Sequence, residues 1–356
     1  ARELLELHTL GVDAGYTQRD VTEVARAFAG WTAYPPGIDA ETVRRRAARA
    51  DRAEGGFLLE DGFLFRPDFH DSALKVVLGH ALPAGRGIED GEEVLDILAT
   101  HPATARHLAR KLAIRFVSDD PPASLVERLA ASLERHDGDL EVAMRTLVES
   151  PEFWSRDAIG AKIKSPFELA VSALRGLEAD VRNPSETIRW IGRMGQPLYG
   201  YQAPTGYPDD AGFWVNAGAL LNRMNFGLAL AAGRVRGVRF ELARLTGYRE
   251  PESRAAALDT YLALLLPERD VSGTRQQLEA LVEAPGLEEK VDAAPPADGP
   301  QVEEGLLEET EEMELWSALL AQPAAGDERQ DRDVAPPTPL EQVVGVIFGS
   351  PEFQRR

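Results

Sequence analysis

Residues His101 to Pro122 restrict the fold more than any other stretch, because they combine a helical apolar stripe with hard stops at both ends. Ala105, Leu108, Ala109, Leu112 and Phe116 recur at the helical period, which predicts one face packed on a core. Pro102 suits the first helical turn. Asp119-Asp120-Pro121-Pro122 ends the element and restarts the chain, with Asp120 as cap and Pro121 as first residue of the next helix. The opposite face carries Arg106, Arg110, Lys111 and Arg115, with no carboxylate between His101 and Ser118. These cations either hold an anion or pair with carboxylates elsewhere, and pairing is the simpler reading.

The same punctuation recurs along the chain. Residues 1–10 read as a helix ending at Gly11. Thr17 caps a helix from Gln18 to Gly30, and Asp137-Gly138-Asp139 is a turn and cap ahead of Leu140 to Glu149. Ser165-Pro-Phe-Glu168 supplies a cap, a proline at the first position and a glutamate closing a capping box. Phe167, Ala170, Val171, Leu174 and Leu177 follow as a core stripe. Phe57 to Phe65 reads as a hairpin, with Asp61-Gly62 as its two-residue turn. Arg66 to Lys75 reads as a loop turning into a short helix, which makes Asp71 and Lys75 an i,i+4 pair. The pattern predicts an all-α, multi-helix globular domain with one small β-hairpin at about 57–66.

Charge divides the chain. Residues 285–336 hold 15 Asp and Glu against 3 Lys and Arg, so they carry −12 of the formal −20, and six prolines lie among them. They predict an acidic, proline-rich disordered insertion between a helical domain at 1–284 and a C-terminal helix at 337–356 that returns to the core. A chain this acidic is not expected to bind nucleic acid, since phosphate recognition needs a basic surface. There is no cysteine, which removes disulfides, thiolate chemistry and iron–sulfur clusters. The long apolar run Ala211 to Ala232 contains Asn216, Asn222, Arg223 and Asn225, so it reads as a buried helix rather than a transmembrane segment.

Two groups of residues carry candidate chemistry. The loop Gly195 to Trp214 holds Tyr199, Tyr201, Tyr207, Phe213 and Trp214 among prolines and glycines. Arg223 follows as the one ionised side chain between Ala211 and Ala232, with Asn216 two turns earlier on the same stripe. Either Arg223 faces a ligand beside the aromatic loop or it meets a structural partner such as a terminal carboxylate. The second group is a polar cluster of His8, His70, Asp71 and His101, which tertiary folding alone can bring together. None of the six histidines has metal-ligand spacing, so no metal and no cofactor are expected. There is no phosphate-binding glycine loop and no serine elbow.

Several stretches together resemble one bacterial family, the domain of unknown function 1800. They are Ala1 to Gly11, Gly15 to Thr22, Phe63 to Gly79 around His70-Asp71 and Lys75, and His101 to Ala105. Phe116 to Pro122, Lys164 to Glu168, Met194 to Pro197 and Pro204 to Pro208 complete the match. Tyr207 stands where tryptophan is more usual, and the family's N-terminal part is missing here. The resemblance implies a mostly helical domain behind an export signal, hence an extracytoplasmic location, periplasmic or secreted. It also implies a sulfatase- or phosphatase-like exported protein encoded alongside, and no established activity. Two functions are expected on this basis. One is an exported protein that binds a partner protein or surface polymer. The alternative is an extracytoplasmic hydrolase or metal-assisted enzyme acting on a glycan or on a phosphate or sulfate ester.

Overall fold

The computed structural model describes residues 1–33, 41–42, 58–60, 63–267, 269–282 and 338–356. The predicted insertion at 285–336, nearly all of the 40–54 segment and the hairpin turn Asp61-Gly62 lie outside those residues. The chain divides into two compact units. The first is Ala1–Phe116 with Asp120–Trp154, and the second is Val117–Asp119 with Ser155–Arg356. Both are mostly helical with only small sheets. Among the described residues no helix is long and apolar enough to cross a membrane.

The first unit opens with a π-helical turn, Leu4–Thr9, followed by α1 (Gln18–Ala27). Thr17 and Asp20 form a capping box at the start of α1. Strands β1 (Trp31–Ala33), β2 (Leu58–Glu60) and β3 (Phe63–Phe65) make an antiparallel sheet with β3 in the middle. The β2–β3 pair is the predicted hairpin. β1 adds a third strand that the sequence pattern did not show, because three residues are too short to display a period.

A second correction concerns Arg66 to Lys75. No α-helix forms there. A 3₁₀ turn, Pro67–Phe69, leads into β4 (Lys75–Val77), which pairs antiparallel with β5 (His80–Leu82). The cause lies in α1. Glu23 accepts the Val76 N–H at 3.1 Å and Asp20 accepts the Leu78 N–H at 2.8 Å, so the outer donors of β4 are satisfied as a strand. Leu78 and Gly79 take the two positive φ values, 49° and 84°, that a tight hairpin turn needs.

Four helices complete this unit: α2 (Glu89–Ala99), α3 (Pro102–Phe116), α4 (Ala123–Arg135) and α5 (Leu140–Val148). α3 buries Ala105, Ala109 and Ala113, an i,i+4 row of small residues that lets it lie close against α4. That row turns Phe116 outward, so the predicted stripe fails at its last member. The predicted cap at Asp120 also fails. α4 begins at Ala123, after Pro122, with no side-chain cap. Asp139 caps α5 as expected.

In order, the second unit contains α6 (Pro166–Gly176), β6 (Asp180–Val181), α7 (Ser185–Arg193), α8 (Ala211–Trp214) and α9 (Ala217–Ala231). It continues with β7 (Val238–Arg239), α10 (Leu242–Leu245), α11 (Arg254–Leu265), α12 (Ser272–Val282) and α13 (Pro339–Gly349). The capping box at Ser165 and Glu168 forms as predicted. Phe167, placed in the core stripe, is instead exposed, and Leu169, Ala170, Ala173 and Leu177 face inward.

The centre of this unit is the contact of α9 with α13. A Cβ on Gly227 would lie 2.8 Å from Phe348 Cβ, and one on Gly345 would lie 2.9 Å from Leu228 Cδ2 and 3.1 Å from Leu228 Cα. Only glycine admits this approach. Gly345→Ala should lower stability by about 1–3 kcal/mol through overpacking, although alanine is the better helix former. A urea melt measures it, and an unchanged or higher midpoint would contradict the close packing.

Candidate functional site

α9 is built inside out. Asn216 caps it by accepting the Ala219 N–H at 2.9 Å. Asn222, Arg223 and Asn225 are buried with Phe226 and Leu230, whereas Leu220, Leu221 and Met224 are exposed, the last two at 55% and 47%. The polar residues are inside because other segments need donors there. Asn222 Nδ2 donates to Arg193 O at 2.8 Å. Arg223, 1% exposed, donates from Nη1 to Gln354 Oε1 and from Nη2 to Lys164 O, both at 2.9 Å. Burial pushes its guanidinium down to about 10, with Glu168 opposing. The partners found are thus a neutral amide and a carbonyl.

The aromatic loop packs largely on itself. Tyr201 and Tyr207 have ring centroids 4.5 Å apart, Tyr207 lies 5.7 Å from Trp214, and Phe213 meets Trp214 edge-on at 4.7 Å. Tyr207 donates its hydroxyl to Pro197 O at 2.7 Å. Burial, reinforced by Tyr201, raises the affinity of that hydroxyl for its proton. Trp214 is buried, while Tyr199 is fully exposed and sits at φ 61°. Phe213 and Val215 are also exposed, so apolar side chains face solvent repeatedly from 213 to 224.

Beneath α9 the segment Ser350 to Arg356 lies antiparallel to residues 162–164. Lys164 N–H donates to Gln354 O and Arg356 N–H donates to Lys162 O, both at 2.8 Å. Side chains lock this pairing. Arg356 bridges Glu168 at 3.3 Å and Asp209 at 3.0 Å. Lys162 pairs with Asp119, whose other oxygen accepts the Ala211 N–H at 2.9 Å. Lys164 differs from all of these. Its ammonium lies 4.1 Å over the Phe353 ring and makes no hydrogen bond or ion pair among the described residues. Burial, with Arg269 adding, lowers it to about 8, and Glu168 opposes the shift. The sequence singled out Lys164 only as part of a stretch, because the lack of a partner is a tertiary property.

In the first unit, His70 and Asp71 sit side by side but serve different partners. The His70 ring is almost wholly buried, with Nδ1 2.9 Å from Ala29 O and Nε2 3.3 Å from Asp90 Oδ2. Lys75 and Asp90 are fully buried and pair at 2.7 Å. The Lys75 ammonium also donates to Ala73 O at 3.0 Å and to Asp71 O. Arg86 Nε lies 3.2 Å from Asp90 Oδ1 without being aimed at it, so that oxygen accepts no hydrogen bond among the described residues.

The Asp71 carboxylate binds Arg26 at 2.7 Å, which holds it well below the usual carboxylate range. The helical Asp71–Lys75 side-chain pair is therefore absent, since Lys75 is on a strand. His101 Nδ1 accepts the Ala103 N–H at 3.1 Å at the start of α3, and His8 is exposed. Among the described residues, no three His, Asp or Glu side chains are grouped to hold a metal. Asp90, the hub of this network, was not among the candidates, because Lys75 and His70 lie 15 and 20 positions away from it in the chain.

A family model with the description Protein of unknown function (DUF1800) matches residues 1–355. No curated protein and no solved structure matches the chain.

Proposed function

Because the chain belongs to the family described as Protein of unknown function (DUF1800), we propose a role that needs no established reaction: an exported, non-catalytic protein that binds a partner protein through the outward face of α9. The inversion of α9 carries this reading, with Leu220, Leu221 and Met224 in solvent and the polar residues inside. Each apolar Å² that a partner removes from water contributes about 25 cal/mol. Exposed apolar patches of this kind mark interaction surfaces. Tyr199, Phe213 and Val215 extend the apolar character along the chain.

A surface polymer such as a glycan suits the site less well. The Tyr201 and Tyr207 rings, natural stacking platforms for sugars, already lie against each other. The hydrolase reading has less support again, since His70 is engaged with Ala29 and Asp90 and His101 with Ala103.

The partner that the family resemblance suggests is the sulfatase- or phosphatase-like exported protein encoded alongside. The test is titration calorimetry of the two purified proteins, using Leu221→Asp/Met224→Asp as the variant. Both positions are exposed, so the variant should fold while affinity falls by about tenfold or more, roughly 1.4 kcal/mol. Unchanged affinity in the variant would move the interface elsewhere, and no binding by the unaltered protein would remove this partner.

A further inference from the structure

We propose that Lys164 is a nucleophilic amine that condenses with aldehydes and keto compounds carrying an acidic group. The inference is independent of the α9 surface and rests on how differently two neighbouring lysines are treated. Lys162 and Lys164 are both nearly buried, at 4% and 9% exposure. Lys162 has Asp119, Asp209 at 3.6 Å and the Asp209 carbonyl at 2.6 Å. Its ammonium is thus held by carboxylates and a carbonyl. Lys164 has the face of Phe353 and a cationic neighbour, Arg269, with Glu168 acting on it from a distance and no carboxylate paired to it among the described residues.

The charged groups around Lys164 are few. Glu168 on α6 is drawn to Arg356 and to the Ser165 N–H. Arg223 on α9 takes the Lys164 backbone carbonyl. Arg269 follows α11 and donates from Nη1 to Glu352 O at 2.7 Å, its only side-chain hydrogen bond among the described residues. A desolvated amine beside a second cation is an environment that frees a lysine lone pair near neutral pH. The free nitrogens of the Arg269 fork offer a bidentate hold for a carboxylate or phosphate on the incoming molecule.

The step is a condensation. The unprotonated Nζ attacks the carbonyl carbon, and the carbonyl oxygen takes a proton to become the hydroxyl of a carbinolamine. Loss of that hydroxyl as water leaves a carbon–nitrogen double bond. No oxidant or reductant is required.

Glyoxylate, an aldehyde carrying a carboxylate, is the probe, and cyanoborohydride traps the product by delivering hydride to the imine carbon. The lysines at 75, 111, 162, 164 and 290 fall to peptide mapping by mass spectrometry. At about pH 7.5, Lys164 should label roughly tenfold or more faster than either Lys162 or the exposed Lys111, because burial leaves the Lys164 amine far less protonated than an ordinary lysine there. Its rate should be half-maximal near pH 8, the value to which burial and Arg269 bring it. Acetaldehyde, lacking the carboxylate, should label it more slowly than glyoxylate. Arg269→Gln should remove that preference and shift the half-maximal point upward. Labelling of Lys164 no faster than Lys111, or a rate still rising past about pH 10, would overturn the proposal. Equal labelling by acetaldehyde and glyoxylate would overturn the acidic-group requirement.

Discussion

Arg223→Ala is expected to lower the stability of the second unit by about 3–5 kcal/mol. Two effects add. The side chain is 1% exposed, so its removal leaves a cavity between α9 and the segment Ser350 to Arg356. It also strands Gln354 Oε1 and Lys164 O, acceptors on two nearly buried residues, at about 1 kcal/mol each. The partners are uncharged, so no carboxylate is left orphaned and the loss stays below that of breaking a buried ion pair plus a cavity. Arg223→Met fills part of the space and should cost less than alanine while still losing both hydrogen bonds. Chemical denaturation of both variants checks the order, and a variant within about 1 kcal/mol of the parent would show that Arg223 does not hold these segments together.

The second large effect is expected at Asp90. Asp90→Asn removes the carboxylate that faces Lys75, His70 and Arg86 and should cost about 3–5 kcal/mol, because the buried Lys75 charge is then uncompensated. Lys75→Met should cost a similar amount. The double variant Asp90→Asn/Lys75→Met removes both charges and should be less damaging than the two single losses added together. Additive losses would mean that the pair is not energetically coupled. Thermal melts with far-ultraviolet dichroism read all three.

What was legible in the sequence was local. Thr17, Asp139 and Ser165 act within three residues of themselves, and all three cap the helices that they were expected to start. The β2–β3 pairing followed from apolar arms on either side of a two-residue turn. β4 was misread because the Asp71 to Lys75 spacing fits a helix, whereas two carboxylates of α1, more than fifty positions earlier, hold it extended. Phe116 and Phe167 were placed inside because large apolar residues extend a stripe on paper. In the fold, alanine rows allow helices to approach, and the bulky end residue is left out.

The candidate site was less legible still. Arg223 announced that it needed partners, but Gln354 is 131 residues away and nothing local points to it. α9 is apolar nearly all round, so its pattern could not say which side would be wet. Trp214 and Tyr207, named as ligand-facing candidates, lie against each other, and Tyr199, in the same loop, stands free.

The α9–α13 contact also orders events during synthesis. The first unit uses residues up to Trp154 apart from the short Val117–Asp119 segment, so it can reach its own core while the ribosome is still working. The second unit cannot. Its central helix pair joins Ala217–Ala231 to Pro339–Gly349, and Arg223 waits for Gln354. Until those late residues emerge, Phe226 and Leu230 lack their cover and the outward Leu221 and Met224 stand beside them. Long-range closure of this kind is slow. The interval before it is when a holding chaperone has the largest apolar surface to grip, and when a nascent chain is most exposed to aggregation.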